Sequence, residues 1–183
     1  PLAEGFAQIA QYIQAAGRPL TSFCACELRS PAAFTDEGFR NFNLHYVKTL
    51  AEWGIYDGTT NPVARSNVCP EIDPPVEPSF YAFSFTRPSP SASPSFVIAG
   101  SGESQDGNAS YAERTVRYRD ISPDGIREKV RYVVGAMEKR MGEFGHGWKD
   151  ATATQAYTIH DIHPVLADAL VSRGAARAGL TWH

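Results

Sequence analysis

The sequence predicts an α+β fold assembled from two pseudo-repeats, and three observations carry that reading. Apolar residues recur at helical spacing in some windows and in strand-like runs in others. A Pro/Ser-rich stretch, Arg87 to Ser95, interrupts the chain near its middle and has no residues with which to build a packed element. On either side of it the same order is met: helix, glycine, strand, helix and an arginine-bearing strand.

The stripe Leu2, Phe6, Ile9, Ile13 and Ala16 predicts a first helix over Leu2–Ala16, with Gly17 placed to stop it. Leu20–Leu28, rich in Thr, Phe and Cys, predicts a strand. Thr35 is an expected N-cap, with Asp36 and Glu37 in the electropositive first turn. The stripe Phe39, Phe42, Tyr46, Leu50 and Trp53 predicts a second helix, closed by Gly54. Val63–Val68 is a short strand candidate, and a proline-punctuated stretch follows it before the apolar run Phe80–Phe85. Beyond the connector, Phe96–Ala99 is expected as a buried strand running into Gly100-Ser-Gly-Glu103. Alternation over Thr115–Arg119 predicts a half-exposed strand. Ser122-Pro123 opens a helix carrying Ile126, Val130, Val133, Met137 and Met141. Ala151–Ile159 predicts another strand, Pro164–Leu170 a short helix, and Arg177–Trp182 a last strand. The expected boundaries are 1–87 for the first unit, 88–95 for the connector and 96–183 for the second unit.

Composition narrows the function classes. The 183 residues are 43% hydrophobic and 20% charged, as in a soluble protein with a core. A net charge of −3 argues against nucleic acid, because phosphate neutralisation needs a basic surface. No apolar run reaches the roughly 20 residues that span a bilayer, and no export signal opens the chain. The three cysteines fit reduced thiols in a cytoplasmic protein. Pro1 precedes a helix rather than a strand, which argues against a catalytic N-terminal proline; removal of an initiator Met or excision from a longer chain accounts for it.

The ordered motifs resemble the RidA (reactive intermediate deaminase) family. The residues that carry the resemblance are Ala15-Ala-Gly17, Asn43-Leu-His-Tyr46 and Pro62-Val-Ala-Arg-Ser66 in the first copy. Val97-Ile-Ala-Gly-Ser-Gly102 and Ala176-Arg-Ala178 carry it in the second. The resemblance implies a RidA-like (chorismate mutase-like) sheet backed by two helices, packed as a homotrimer, the first copy lacking its opening hairpin and the second its closing strand. It also implies hydrolytic deamination of a small carboxylate-bearing enamine or imine, of the 2-aminoacrylate or 2-aminomuconate type, without a cofactor. A non-catalytic carboxylate-binding protein and a chorismatase-like hydrolase are the alternatives.

What the resemblance implies for single residues follows from chemistry. Arg65 and Arg177 are the expected carboxylate anchors, since a guanidinium presents a two-pronged fork to a carboxylate. Asn43 and Tyr46, three apart on one helix face, are expected beside the ligand. Gly100 and Gly102 would let backbone N–H groups approach it. Glu77 and Glu103 are the candidate catalytic carboxylates for water activation. His160 and His163 offer a weak metal pattern that Pro164 argues against, and no metal is expected. Cys24 and Cys26 read as structural packing.

Overall fold

Helix α1, Leu2–Ala15, buries Phe6, Ile9 and Ile13, the stripe that predicts it. Gly17 follows with φ +68°, the left-handed conformation that ends a helix without a Cβ clash. The computed structural model describes residues 1–183 except Ser91, Ala92, Asp106 and Asn108. Ser91 and Ala92 belong to the expected connector, and that part of it lies outside the described residues. The chain divides into two compact units, Pro1–Ala99 and Gly100–His183.

In the first unit a single turn of 3-10 helix, Leu20–Ser22, leads into strand β1, Phe23–Arg29. The expected strand therefore starts three residues late, after Pro19 has set an extended backbone. Helix α2, Asp36–Glu52, opens where Thr35 accepts a hydrogen bond from the Gly38 amide. Strands β2, Ala64–Val68, and β3, Ser79–Phe85, complete a sheet in the order β2-β1-β3. β2 runs parallel to β1, with α2 as the crossover that parallel strands require. β3 runs antiparallel to β1 on its other side.

Both helices and the sheet share one core. Phe6, Ile9 and Ile13 of α1 meet Phe23, Cys26 and Leu28 of β1 and Phe42, Tyr46 and Leu50 of α2. Phe23 and Cys26 would face opposite ways in a regular strand. A register irregularity between Phe23 and Ala25 brings both to the same core, as an inserted residue does. α1 lies so close to β3 that a Cβ on Gly5 would stand 2.5 Å from the Phe80 ring. The Phe6 and Phe80 rings meet edge to face at 4.8 Å.

The second unit is built differently. Helix α3, Tyr111–Arg114, is one capped turn. Helix α4, Pro123–Glu143, starts at Ser122, whose side chain accepts from the Gly125 amide. Strands β4, Gln155–Ala156, and β5, Thr181–Trp182, form a parallel ladder of two residues each. Helix α5, His163–Ala169, covers the short helix expected there. Ile126, Ile162 and Val165 form a small core with Val130, Leu166 and Trp182 packed on it.

Four expectations for the chain beyond the connector fail. Phe96–Ala99 has no regular structure. Thr115–Arg119 is not a strand: Thr115 bridges Ser104, and Arg117 and Arg119 take φ of +49° and +60°, which breaks extended backbone. Ala151–Ile159 forms a strand only at Gln155–Ala156. Arg177 lies in a 3-10 turn, Ala175–Arg177, so it does not occupy the strand position that Arg65 holds.

Candidate functional site

The cation with the most unusual surroundings is Arg65, the second residue of β2. It pairs in register with Cys26 of β1, so its side chain emerges on the face covered by α2. On α2, spacings of three and four put Phe39, Phe42 and Tyr46 on one face. The guanidinium carbon lies 4.6 Å from the Tyr46 ring centre, 5.5 Å from that of Phe42 and 5.9 Å from that of Phe39. Stacking a guanidinium on aromatic rings offsets part of its desolvation cost. Burial still works against the charged form and pulls the Arg65 pKa below its ordinary value, opposed by Tyr46 and Cys26. Among the described residues, no acidic side chain forms an ion pair with Arg65.

The floor under the guanidinium is rigid. Tyr46 is fully buried, and its hydroxyl meets the Cys26 sulfur at 3.4 Å. Burial pushes the Cys26 thiol up to about 11, so it is neutral at physiological pH and no nucleophile. The same burial raises the Tyr46 phenol. Tyr46 is thus a support beneath Arg65 rather than a group open to a ligand. Asn43, one turn earlier on α2, is half-buried.

The other expected residues lie in plainer settings. Glu77 is exposed, 3.6 Å from the Pro1 nitrogen, and the structure does not pair it with Arg65. Glu103 faces Lys129 at 3.4 Å. The Gly100 carbonyl accepts a hydrogen bond from Arg140 at 2.8 Å. Gly102 has no left-handed φ, and a Cβ there would meet nothing within 4 Å, so no tight turn demands a glycine. Arg177 is exposed. His163 is held by Asp161 at 2.8 Å, and among the described residues no three His, Cys, Asp or Glu side chains gather as a metal site would need. Cys24, Cys26 and Cys69 are free thiols. No helix among the described residues is long and apolar enough to cross a membrane.

Sequence reasoning missed three participants. Asn67, two residues after Arg65, accepts a hydrogen bond from the buried Ser30 at 2.9 Å. Their only signal was the strand period, which puts positions 65 and 67 on one face. Lys129, the partner of Glu103, had none. The second unit also holds a cavity of about 260 Å³ with Arg127, Arg131 and Arg173 in its wall. Asp124 and Glu138 already pair with Arg127 and Arg173, at 2.7 and 2.6 Å, and Asp168 lines the same cavity. Its positive charge is largely spent.

Fold and site together define an α+β protein with a half-buried guanidinium, set on aromatic rings and lacking a counter-ion among the described residues. The chain belongs to the 2-aminomuconate deaminase CnbZ family, whose model matches residues 1–183. It is 50% identical over 185 residues to the 2-amino-5-chloromuconate deaminase of Comamonas testosteroni, a match covering 100% of this chain and 74% of that protein. No solved structure matches the chain.

Proposed function

We infer that this chain is an enzyme that hydrolyses a 2-aminomuconate-type enamine to the corresponding 2-oxo acid and ammonia. Family membership and the named relative support the reaction over a purely binding role. Protonation of the enamine at C3 gives the iminium, water adds at C2, and a proton passes from the added oxygen to the nitrogen. The tetrahedral adduct then expels ammonia as the C2 oxygen releases its remaining proton. The negative carboxylate beside C2 opposes the approach of an electron-rich oxygen. Neutralising it with a guanidinium removes that opposition and fixes the orientation of C2.

The observation that carries the site proposal is the desolvated guanidinium of Arg65 without an acidic partner among the described residues. A half-buried cation of this kind gains more from a carboxylate than an exposed one does. We propose Arg65 as the anchor, with Asn43 beside it and Tyr46 beneath. Glu77, in the same unit as Arg65, is the proposed proton carrier that the RidA resemblance suggests. A RidA-like sheet and a homotrimer belong to the same proposal; light scattering that gives a monomer at micromolar concentration removes the trimer.

The test of function is direct. The purified chain is mixed with enzymatically generated 2-aminomuconate while the diene absorbance and released ammonia are followed together. Ammonia release at the uncatalysed rate defeats the proposal. A normal rate in Arg65→Ala defeats the assignment of the anchor while leaving the reaction standing.

A further inference from the structure

The strand that carries Arg65 carries a second donor on the same face. β2 pairs with β1 without a register shift, Cys26 beside Arg65 and Leu28 beside Asn67. Both Cys26 and Leu28 enter the core shared with α2, so Arg65 and Asn67 leave β2 on that side. Two strand residues set them about 6.7 Å apart along the backbone.

Asn67 is held in place from behind. Ser30 is fully buried, its amide donates to the Val68 carbonyl at 2.9 Å, and its hydroxyl donates to Oδ1 of Asn67 at 2.9 Å. Oδ1 is therefore engaged, which leaves the two hydrogens of Nδ2 as the functional end of the amide. Among the described residues Nδ2 has no acceptor, although Asn67 is only half-exposed. A partly desolvated donor of this kind favours a ligand that brings an acceptor oxygen.

We propose that Asn67 is a specificity-determining residue that receives the second carboxylate of a dicarboxylate ligand whose first carboxylate rests on Arg65. This rests on the anchor role given to Arg65 above. A six-carbon chain with a carboxylate at each end spans a distance of the same order as two strand residues. A three-carbon monocarboxylate cannot reach both donors. The pair consequently selects six-carbon dicarboxylate enamines over short monocarboxylate ones.

Two unreactive probes isolate the effect: muconate, a six-carbon diene with two carboxylates, and sorbate, the same diene with one. Calorimetric titration of the whole chain is expected to favour muconate, and Asn67→Ala to weaken muconate by about tenfold, the loss of one hydrogen bond to a charged group, with sorbate unchanged. Asn67→Asp separates binding from support. It has the same shape, so a merely structural role makes it milder than Asn67→Ala. A binding role makes it worse at neutral pH, because its carboxylate occupies Arg65 and repels the ligand, with recovery as the pH falls toward that of an aspartic acid, about 4. Equal affinity of the parent for both probes, or equal losses for both in Asn67→Ala, overturns the proposal. Unchanged binding of both probes in Arg65→Ala overturns the anchor itself, whereas losses confined to Arg65→Ala overturn the Asn67 role alone.

Discussion

The first unit packs its helices on a sheet and sets one half-buried guanidinium, Arg65, against aromatic rings. The second instead packs its helices on each other and pairs its cavity-lining arginines Arg127 and Arg173 with carboxylates. In the first, α1, α2 and three strands close over a continuous apolar core that includes Tyr46, Leu28, Ile13 and Leu50 with no exposed surface. In the second, α4 and α5 share a smaller core, and polar ties do much of the fastening. Glu138 on α4 accepts from the Trp148 indole at 3.1 Å and from Arg173 at 2.6 Å, tying two loop segments to one helix. The contrast bears on chemistry. Partial desolvation strengthens a guanidinium's attraction for a carboxylate, and Arg65, the proposed anchor, is half-buried against aromatic rings. The exposed turn that carries Arg177 does not.

The largest expected effect on activity tests this contrast at the arginines. Arg65→Ala should cost about 2–4 kcal/mol in kcat/KM, the scale of a lost charge-assisted pair. Arg177→Ala should cost under about 1 kcal/mol, as exposed charges do. Steady-state kinetics on the two variants decides it; equal losses erase the distinction between the units.

Packing provides the next. Leu50→Ala removes a fully buried side chain from the first core and should cost about 2–5 kcal/mol of stability. Chemical denaturation monitored at the tryptophans would register it. Hydrogen exchange should also find β1 protected longest and the two-residue ladder β4–β5 among the first to exchange. A β4–β5 ladder as slow as β1 would contradict the contrast.

How much of this was legible depended on how many independent signals each element carried. α1, α2 and α4 are legible because the period agrees with a second signal in each: Gly17, with its left-handed φ, stops α1, Thr35 and Gly54 bound α2, and Ser122 caps α4. Thr115–Arg119 had alternation alone, and two arginines in left-handed conformation undo what alternation suggested. Arg65 is legible through its motif, yet its burial is not, because the aromatic face beneath it comes from a helix some twenty residues earlier. The same separation hid Ser30 and Asn67, which are 37 positions apart and meet only because β1 and β2 are neighbours.

The third expected effect concerns alkaline stability. Burial raises the Cys26 thiol from its ordinary 9.0 to about 11, so the folded state holds that proton more tightly than the unfolded state. The stabilisation is complete below pH 9 and is lost as pH rises through 11, where an order-of-magnitude 2–3 kcal/mol disappears. Cys26→Ser, with no comparably raised thiol, should lose stability less steeply over that window in urea titrations. A parallel decline in both proteins would show that this thiol does not set the slope.

The smallest expected effect lies at Glu103 and Lys129, whose 3.4 Å pair is partly exposed. Lys129→Met should change stability by under about 1 kcal/mol. A larger effect in thermal melts would mean that this pair fastens the second unit more than its exposure allows.

The position of β3 has a consequence for how the first unit is born. β1 cannot complete its antiparallel pairing until Ser79–Phe85 has been synthesised, more than fifty residues after β1 itself. Until then the α1 face that meets Phe80, Phe83 and Phe85 stays uncovered, with Phe6 and Tyr12 on it. A nascent chain therefore passes through a stage in which an aromatic helix has left the ribosome and its partner strand has not. Such exposed apolar surface invites chaperones or aggregation. Slowing translation just before residue 79 should lengthen that vulnerable interval, whereas slowing it after Phe85 has emerged should give the unit time to close.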